Sequence, residues 1–596
     1  MTPPELVSIL ARFPEGRVVP EKGPGAPTDQ PTWRVDRKVL LDLARLLRDE
    51  PQARFDLLLD ICGVDYPERE ERFDVVYHLY SIPRGRRLRL KVSAPEREPV
   101  VPSVISVWRA ADWFEREVFD MFGVRFDGHP NLRRILTHEG FQGHALRKDY
   151  DPGRRWILTE DKIYRPRLEP PPDRKDSMFE RMTINIGPSH PAMHGTFRLM
   201  AMVDGEEIVA SDVEIGYLHR CMEKMSETHP WQQIIPYTDR LNYCSPFINN
   251  VAYCRTVERM LGVEVPPKAV WARTILSEFS RIMDHCVANG TTLVDTGALT
   301  NFWYFFQPRE EIYGLLESVC GARLTVSACR IGGLLADLPT DFMDRVKHLL
   351  EFIPPIMDDI EKLVDKNRIW LDRSVGISAI SGEEAVNWGW TGPCLRASGV
   401  AYDVRKAHPY DLYDTVDWEV PVLYGGDVYD RYKIRMLEIR QSLSIIRQLY
   451  ERGMPDGPYI VQDPHVALPP KEACYTQMEA MIYHFKLIMD GIRVPPGELY
   501  LMTEGANGEL GFYIISDGSP RPYRLHVRPP CFPIFSTFLR SHRETRRPRY
   551  ECSLQGSSLH KENRPRIERS HRVVSSKCGV HGNDESICVA PLGTEW

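Results

Sequence analysis

The sequence contains no closely spaced pair of cysteines. Its 13 cysteines are scattered singly over 596 residues, and no Cys-x-x-Cys occurs. Single thiols in odd number are typical of a reducing compartment and do not suggest a disulfide framework. Because iron–sulfur clusters and nickel–iron centres are held by closely spaced thiolates, we expect the chain by itself to bind no metal and no redox cofactor.

Long apolar runs are also missing. No stretch reaches the roughly 20 apolar residues that a membrane-spanning helix needs, and the apolar run at residues 100–107 ends at Trp108-Arg109. Residues 1–6 show no basic segment followed by an apolar one, so no secretory signal is expected. These absences predict a cytoplasmic chain that reaches a membrane only through partners.

Neither sign of charge dominates the chain. It carries 76 Lys and Arg against 83 Asp and Glu, a formal net charge of -7 at pH 7. Such a chain creates no field that attracts phosphate backbones, so nucleic acid is not an expected partner. A composition of 42% hydrophobic and 27% charged residues is typical of a soluble globular protein, and the length predicts two or more domains.

Residues 1–150 are predicted to form a small α+β domain. Residues 73–80 and 88–92 have the composition and alternation of strands. Residues 103–122 are apolar at helical spacing, and Gly123 follows them as an expected helix end. This pattern by itself also fits an ordinary small domain of any function.

A second, larger domain is predicted at residues 181–539, after a linker at 151–180 that is rich in Pro, Asp and Arg. It is expected to be mainly α, with strands around Asp204-Gly205 at its start and a hairpin at residues 509–527, turning at Asp517-Gly518, at its end. The predicted helices span residues 249–261, 271–289, 341–364, 427–452 and 473–490.

The first domain carries a dense set of Arg, Asp, Glu and His at residues 115–124, 129–136 and 143–149. On their chemistry alone, these residues fit ion pairing and subunit docking better than catalysis. As a pattern, they resemble the signature of the C subunit of complex I, the proton-pumping NADH–quinone oxidoreductase. Ala145 stands where that family usually has proline.

The second domain carries motifs in a fixed order. It opens with residues 185–198, which include His190 and His194. Further motifs lie at residues 216–224, 239–243, 278–281, 295–298, 330–333, 391–399, 402–406, 426–431 and 528–532. In this order and spacing they resemble the D subunit of complex I over about residues 181–539. The chain is therefore similar to bacterial fused C/D subunits.

The resemblance implies the α+β fold class: a C-subunit-like domain, then a mainly α domain of the nickel–iron hydrogenase large-subunit type. Hydrogenases of that type hold their metals with two Cys-x-x-Cys pairs, whereas Cys221, Cys244 and Cys531 stand alone here. These thiols fit small buried hydrophobes better than metal ligands. A hydrogenase-type subunit, recognisable by stoichiometric nickel, and a purely structural scaffold remain as alternatives.

The resemblance also implies a quinone site. In the family, quinone accepts hydrogen bonds from the second histidine of the loop and from a tyrosine, here His194 and Tyr243, with His190 in the same loop. Asp295 matches an aspartate behind that histidine, where it would favour the imidazolium. On residue chemistry alone, the histidines fit structural roles and Asp295 fits an N-cap or loop carboxylate.

The implied activity is proton-translocating NADH:quinone oxidoreduction, in which electrons from NADH reach quinone through iron–sulfur clusters. NADH, FMN and the clusters would lie in partner subunits, and ubiquinone or menaquinone would be the substrate. The implied partners are the B-type iron–sulfur subunit, the I-type and other peripheral-arm subunits, and a membrane-arm subunit where quinone enters. The implied location is the cytoplasmic face of the inner membrane, as a peripheral protein.

The sequence departs from the family pattern at three places. Asn242 stands where an acid usually precedes the tyrosine, and Cys221 replaces a glycine or alanine. Nothing after Leu539 matches the apolar terminus of the family, since apolar spacing is lost and Arg, Ser, His and Cys accumulate. Residues 540–596 are therefore predicted to be disordered and to arise from a frameshift or a comparable replacement.

Overall fold

The computed structural model describes residues 12–21, 29–153, 181–190, 195–204 and 207–537, together with Leu6, Ile9 and Pro27. Three predictions fall outside these residues: the conformation of the linker beyond residue 153, the position of His194 and the disorder of the tail at 540–596. Within the described residues, no helix is long and apolar enough to cross a membrane.

The N-terminal part is built on a five-stranded sheet. Its strands are β1 (Val18–Pro20), β2 (Thr32–Val35), β3 (Leu57–Asp65), β4 (Phe73–Ser81) and β5 (Arg86–Ala94), in the order β1-β2-β5-β4-β3. Strands β2 and β5 pair in parallel, and the other neighbours pair antiparallel. The two predicted strands are confirmed as parts of β4 and β5. A short parallel pair follows, formed by β6 (Val100–Pro102) and β7 (Arg125–Asp127).

Within the described ranges, α1 (Leu40–Asp49) and α2 (Ala111–Phe122) cover this sheet, and their apolar side chains share one core with its strands. Helix α2 ends as predicted at Gly123, which adopts φ 77°. Its predicted start at Ser103 is wrong. The backbone N–H of Val104 and the hydroxyl of Ser103 donate to Glu115, which holds this segment as a turn before the helix.

The second part opens with a three-stranded antiparallel sheet, which confirms the strands expected around Asp204. Its strands are β8 (Met182–Ile186), β9 (Arg198–Asp204) and β10 (Glu207–Glu214), with β9 in the centre. Fourteen α-helices then follow in the described residues, with a two-stranded ribbon of β11 (Cys329–Arg330) and β12 (Gly333–Leu334) among them.

The long helices of this part are α5 (Pro246–Leu261), α6 (Pro267–Asp295), α7 (Leu299–Cys320), α8 (Phe342–Val364) and α13 (Val428–Arg452). The shorter ones are α3 (Met222–Ser226), α4 (Ile235–Thr238), α9 (Arg368–Ser374), α10 (Gly382–Asn387), α11 (Gly392–Ala397), α12 (Val404–Ala407), α14 (Lys471–Thr476), α15 (Met478–Met489) and α16 (Cys531–Ser536). Side chains of the long helices form the largest apolar core.

Two features of these helices differ from the prediction. Helix α7 was missed because Pro308 lies inside it and because Trp303 is exposed next to buried Phe305, which blurs the apolar period. The single helix predicted at residues 473–490 is two helices, α14 and α15. They are separated at Gln477, whose backbone is extended with φ −125° and ψ 125°.

A second antiparallel sheet of three strands precedes α16: β13 (Gly497–Gly505), β14 (Gly508–Ser516) and β15 (Arg524–Arg528). The predicted hairpin turning at Asp517-Gly518 is confirmed as β14 and β15, whereas β13 was missed. This sheet packs on the N-terminal one, since Cys62, Val64 and Val76 share an apolar cluster with Tyr500 and Tyr513. Strands β3 and β4 are buried along their whole length because both of their faces are covered.

Candidate functional site

The His190 loop follows β8 and is held by a close backbone approach. Gly187 adopts φ +91°, and a Cβ there would overlap the carbonyl oxygen of Phe197. Only glycine fits such a contact, so the loop is pressed against the start of β9. His190 is partly buried at the end of this turn.

Tyr243 lies in the loop between α4 and α5, and 52% of its surface is exposed. Partial burial raises the pKa of its phenol, the neighbouring Cys244 adds to this, and Arg309 on α7 opposes it. The phenol therefore stays protonated at neutral pH. A half-exposed hydroxyl that keeps its proton is a suitable hydrogen-bond donor to a bound carbonyl compound.

Asp295 is the last residue of α6 and is buried, with 7% of its surface exposed. It therefore occupies a helix C-terminus, and the helix N-cap considered from the sequence is wrong. The structure places His190, Tyr243 and Asp295 on three separate segments.

A buried carboxylate anchors the Tyr243 loop. Oδ2 of Asp284 accepts hydrogen bonds from Nδ2 of Asn242 at 2.6 Å and from Oγ of Ser245 at 2.8 Å. On the other side of the carboxamide, Oδ1 of Asn242 accepts from the backbone N–H of Cys244 at 3.2 Å. The residues on both sides of Tyr243 are thus tied to α6.

The sequence did not single out Asp284. Its carboxyl is buried within α6, and burial raises its pKa, which His285 and the donors Ser245 and Asn242 oppose. A signal for it was present in the sequence, because residues 277–285 alternate polar side chains with large apolar ones in the middle of a long predicted helix. Buried polar side chains need partners, so such a run marks a polar network.

The segment before Tyr243 is fixed by a second buried carboxylate, Asp239. It accepts from Nδ2 of Asn250 at 2.9 Å and from the backbone N–H of Ser327 at 3.2 Å, and the hydroxyl of Ser327 also donates to it. Arg240 points outward and donates to the carbonyl of Pro236 at 2.7 Å. Asp239 therefore has a structural role, and the loop is held at both of its ends.

Comparison with known proteins finds two family models that match separate parts of the chain. The family model described as "Respiratory-chain NADH dehydrogenase, 30 Kd subunit" matches residues 33–155, and that described as "Respiratory-chain NADH dehydrogenase, 49 Kd subunit" matches residues 295–546. The NADH-quinone oxidoreductase C/D subunit of Bdellovibrio bacteriovorus is 52% identical over 497 residues, which are 83% of this chain and 88% of that protein.

Two further relatives have the same arrangement. The C/D subunit of Methylococcus capsulatus is 40% identical over 515 residues, covering 83% of this chain and 87% of that protein. The C/D subunit 2 of Aquifex aeolicus is 39% identical over 524 residues, covering 83% and 88%. The chain belongs to the NADH-quinone oxidoreductase C/D subunit family. The resemblance that the motifs indicated is thereby confirmed.

The C-like motif of this C/D chain is an internal ion-pair network. Asp120 on α2 accepts from the backbone N–H groups of Ile135, Leu136 and Thr137 at 2.8–3.0 Å, and Arg134 donates to it at 2.7 Å. Three backbone donors and one guanidinium satisfy the buried carboxylate. These motif residues thus fold the segment after α2 back onto that helix.

Several D-like motifs meet in another buried network. Glu278 on α6 accepts from the hydroxyls of Tyr413 and Ser442, both at 2.6 Å, and from Arg405 at 3.2 Å. Although burial alone would raise the pKa of Glu278, Arg281 and Arg405 hold it below its usual value. The motifs at residues 278–281 and 402–406 therefore maintain the helix packing behind the Tyr243 loop.

A third charged cluster joins the C-like and D-like parts. Glu223 faces Nδ1 of His526 at 2.9 Å and NH1 of Arg524 at 2.7 Å, while Nε2 of His526 lies 2.9 Å from Asp60. Ligand atoms of Glu117, Glu223 and His526 lie within 4.8 Å of one another, a spacing that could hold a metal ion. Because both nitrogens of His526 already face carboxylates, the cluster fits an ionic joint better than a metal site.

Proposed function

We propose that the chain shapes the quinone-reduction site of a proton-pumping NADH–quinone oxidoreductase. Membership of the C/D subunit family indicates which enzyme the chain is part of, and the Tyr243 loop is the candidate site within the chain. The observation that carries the proposal is a half-exposed, protonated phenol on a loop anchored by buried carboxylates. Anchored donors cost little reorganisation when a substrate binds, which suits them to orient a quinone headgroup.

Reduction of quinone to quinol takes up two electrons and two protons. In our proposal the hydroxyl of Tyr243 donates to one quinone carbonyl, and His194 donates to the other. Asp295 stabilises the charged form of His194, and His190 supports the same loop. A proton donor held within hydrogen-bond distance of each carbonyl is the arrangement that general acid catalysis requires.

In this proposal the electrons come from a partner, because the sequence contains no Cys-x-x-Cys of the kind that holds iron–sulfur clusters. We propose the iron–sulfur B-type subunit as that partner, with the NADH, FMN and cluster sites in other subunits. The I-type and membrane-arm partners and the peripheral location at the inner membrane belong to the same proposal. Support comes from helix α15, which exposes Met478, Met481 and Phe485, since exposed apolar surface of this kind marks contacts between proteins.

The hydrogenase-type fold and the domain limits 1–150, 151–180 and 181–539 also belong to the proposal. The chemistry of the single cysteines argues against a nickel-binding variant of it. Burial raises the pKa of the Cys244 and Cys531 thiols, and the carboxylate of Asp284 raises both further. Nickel–iron centres of that type are held by two Cys-x-x-Cys pairs, and the sequence contains no such pair, which favours a quinone site over a metal centre.

The experiment that tests the proposed function is Tyr243→Phe in the assembled enzyme. This substitution removes one hydroxyl donor and keeps the ring. The lost hydrogen bond to quinone is worth about 1–3 kcal/mol when it is desolvated. Quinone reductase activity should fall, while NADH oxidation by an artificial acceptor stays near the wild-type rate. Tyr424→Phe is the matched control, because Tyr424 is 83% exposed and should tolerate the same change.

Equal loss of both activities in Tyr243→Phe would indicate misassembly and leave the phenol without its proposed role. Unchanged quinone reduction would contradict the proposal directly. Labelling by a photoreactive quinone analogue at residues other than the His194 loop and Tyr243 would favour the scaffold alternative. Stoichiometric nickel in the purified protein would favour the hydrogenase alternative.

A further inference from the structure

The Asn242–Asp284 contact is a hydrogen bond between a neutral amide and a buried acid. Nδ2 of Asn242 lies 2.6 Å from Oδ2 of Asp284, and the same nitrogen lies 2.9 Å from Oγ of Ser245. Ser245 itself donates to Oδ2 of Asp284 at 2.8 Å. Asn242 and Ser245 therefore both donate to the same oxygen of the Asp284 carboxylate, and both belong to the loop that carries Tyr243.

The surroundings of this carboxylate contain few compensating charges. His285 and Arg435 are the basic groups that lower the pKa of Asp284, although burial raises it overall, and burial also lowers the pKa of His285 itself. The Cys244 and Cys531 thiols face it as neutral groups, and Nδ2 of Asn507 lies 3.5 Å from Oδ2. A second negative charge at position 242 would directly face the Asp284 carboxylate, and the further cation in these surroundings, Arg309 on α7, acts on Tyr243 and Cys244.

We propose that Asp284 is a positioning residue for Tyr243, acting through Asn242 and Ser245. The inference rests on the proposed function and extends it from the phenol to the group that holds it in place. The carboxylate accepts, and the two side chains that flank Tyr243 donate. The backbone on both sides of Tyr243 is thereby fixed relative to α6, and the phenol has less conformational freedom to lose when quinone binds.

This arrangement requires one donor and one acceptor, and it does not require a particular residue at either position. Asn242→Asp places two carboxylates about 2.6 Å apart, which is stable only when one of them holds a proton. Adding Asp284→Asn exchanges the two roles and restores a single charge with one amide donor. The double variant keeps the hydrogen bond while both side chains are changed. It therefore shows whether the contact, and not the identity of either residue, is what matters.

The test measures quinone KM and kcat between pH 6 and pH 8.5 in the assembled enzyme. Asn242→Asp should lower quinone reduction by about tenfold or more at the upper end and by less at the lower end, where a shared proton relieves the repulsion. The double variant Asn242→Asp/Asp284→Asn should recover to within about threefold of wild type across the range. Asn367→Asp is the matched control, because Asn367 caps α9 and aspartate caps equally well.

Backbone hydrogen–deuterium exchange over residues 242–245 provides a readout that does not depend on activity. Compared with wild type at the same pH, exchange should be faster in Asn242→Asp and return to normal in the double variant. A pH-independent loss, or a double variant that stays impaired in both measurements, would overturn the inference. If exchange changes as expected in both variants but Tyr243→Phe leaves quinone reduction unchanged, the proposed function is wrong and the anchoring by Asp284 stands.

Discussion

Buried carboxyl groups of this chain differ in charge state because their nearest neighbours differ. Burial acts on both Glu438 and Glu504, but Arg396 and His285 hold the pKa of Glu438 below its usual value. For Glu504, burial and the nearby carboxylate of Asp403 prevail and raise its pKa to about 7, although Arg396 donates to it at 2.9 Å. One guanidinium therefore serves three acidic groups, Asp403, Glu438 and Glu504, and its removal takes a paired positive charge away from each of them.

Arg396→Met should destabilise the fold by about 3–5 kcal/mol, because a buried ion pair that loses one partner leaves unpaired charge in a low-dielectric interior. Thermal and denaturant unfolding of the purified chain measure the loss. Arg440→Met is the matched control, since the Arg440 pairs with Asp358 and Glu361 are partly exposed and should cost at most about 1 kcal/mol. Similar losses in the two variants would show that the buried network contributes no more than a surface pair.

Several helices end at a glycine in the left-handed region. Gly123 ends α2 and Gly321 ends α7, each with φ 77°. Their surroundings differ, because a Cβ at Gly123 would lie 2.5 Å from Nε2 of His144 and 2.6 Å from NH2 of Arg147. At Gly321, no atom lies within 4 Å of such a Cβ. A substitution at Gly321 therefore tests backbone strain alone, whereas a substitution at Gly123 tests backbone strain together with steric contact.

Gly321→Ala should cost about 1–2 kcal/mol, the strain of a left-handed residue with a Cβ. Gly123→Ala should cost more, because His144 and Arg147 also have to move and Arg147 would lose its 2.6 Å hydrogen bond to the carbonyl of Phe122. The free energy of unfolding of each variant is the measurement. A larger loss at Gly321 than at Gly123 would contradict the steric explanation.

The C-like and D-like parts of the molecule share buried ion pairs and apolar surface. Arg87 on β5 donates to Glu509 on β14 at 2.9 Å, and Arg89 on the same strand donates to Glu498 at 3.1 Å. The cluster around His526 adds a third contact between the parts. Because these groups are buried only when the parts are docked, docking is coupled to their protonation.

Glu117 should make this joint sensitive to pH. Burial raises its pKa to about 8, Glu223 and Asp60 add to the shift, and His526 and Arg524 oppose it. The folded state therefore retains a proton that an unfolded glutamate loses near pH ~4.3, so the contribution to stability is full below that pH and is lost as pH rises towards 8. Glu117→Gln should flatten this part of the stability profile and should be more stable than wild type at pH 8.

Denaturant unfolding of both proteins between pH 5 and pH 8.5 provides the comparison. The difference in unfolding free energy should be small at pH 5 and should grow in favour of Glu117→Gln as pH rises. A constant difference over this range would show that Glu117 does not titrate in the joint. Glu310→Gln serves as a control, because Glu310 forms an exposed pair with Arg323.

The family and much of the local structure could be predicted from the order and spacing of residues. Motif order indicated the C/D resemblance, and alternation or helical spacing indicated β4, β5 and the long helices α5, α6, α8 and α13. Residues with special backbone geometry marked the end of α2 at Gly123 and the turn at Asp517-Gly518. These features depend on neighbours within a few residues, which is why periodicity and turn chemistry reveal them. The roles of Tyr243, His194 and Asp295, the domain limits and the nature of the tail stay predictions.

Which buried groups face each other could not be predicted in this way. Asp284 lies 42 residues after Asn242 in the chain, and Glu223 lies about 300 residues before its partner His526. No local pattern encodes such pairs, because they form only when elements that are distant in the sequence pack together and bury the paired groups. The same packing overrides local signals in α7, where tertiary contacts stabilise a helix despite Pro308 and a blurred apolar period. Residue types thus specify which contacts are possible, and packing selects the ones that hold the Tyr243 loop.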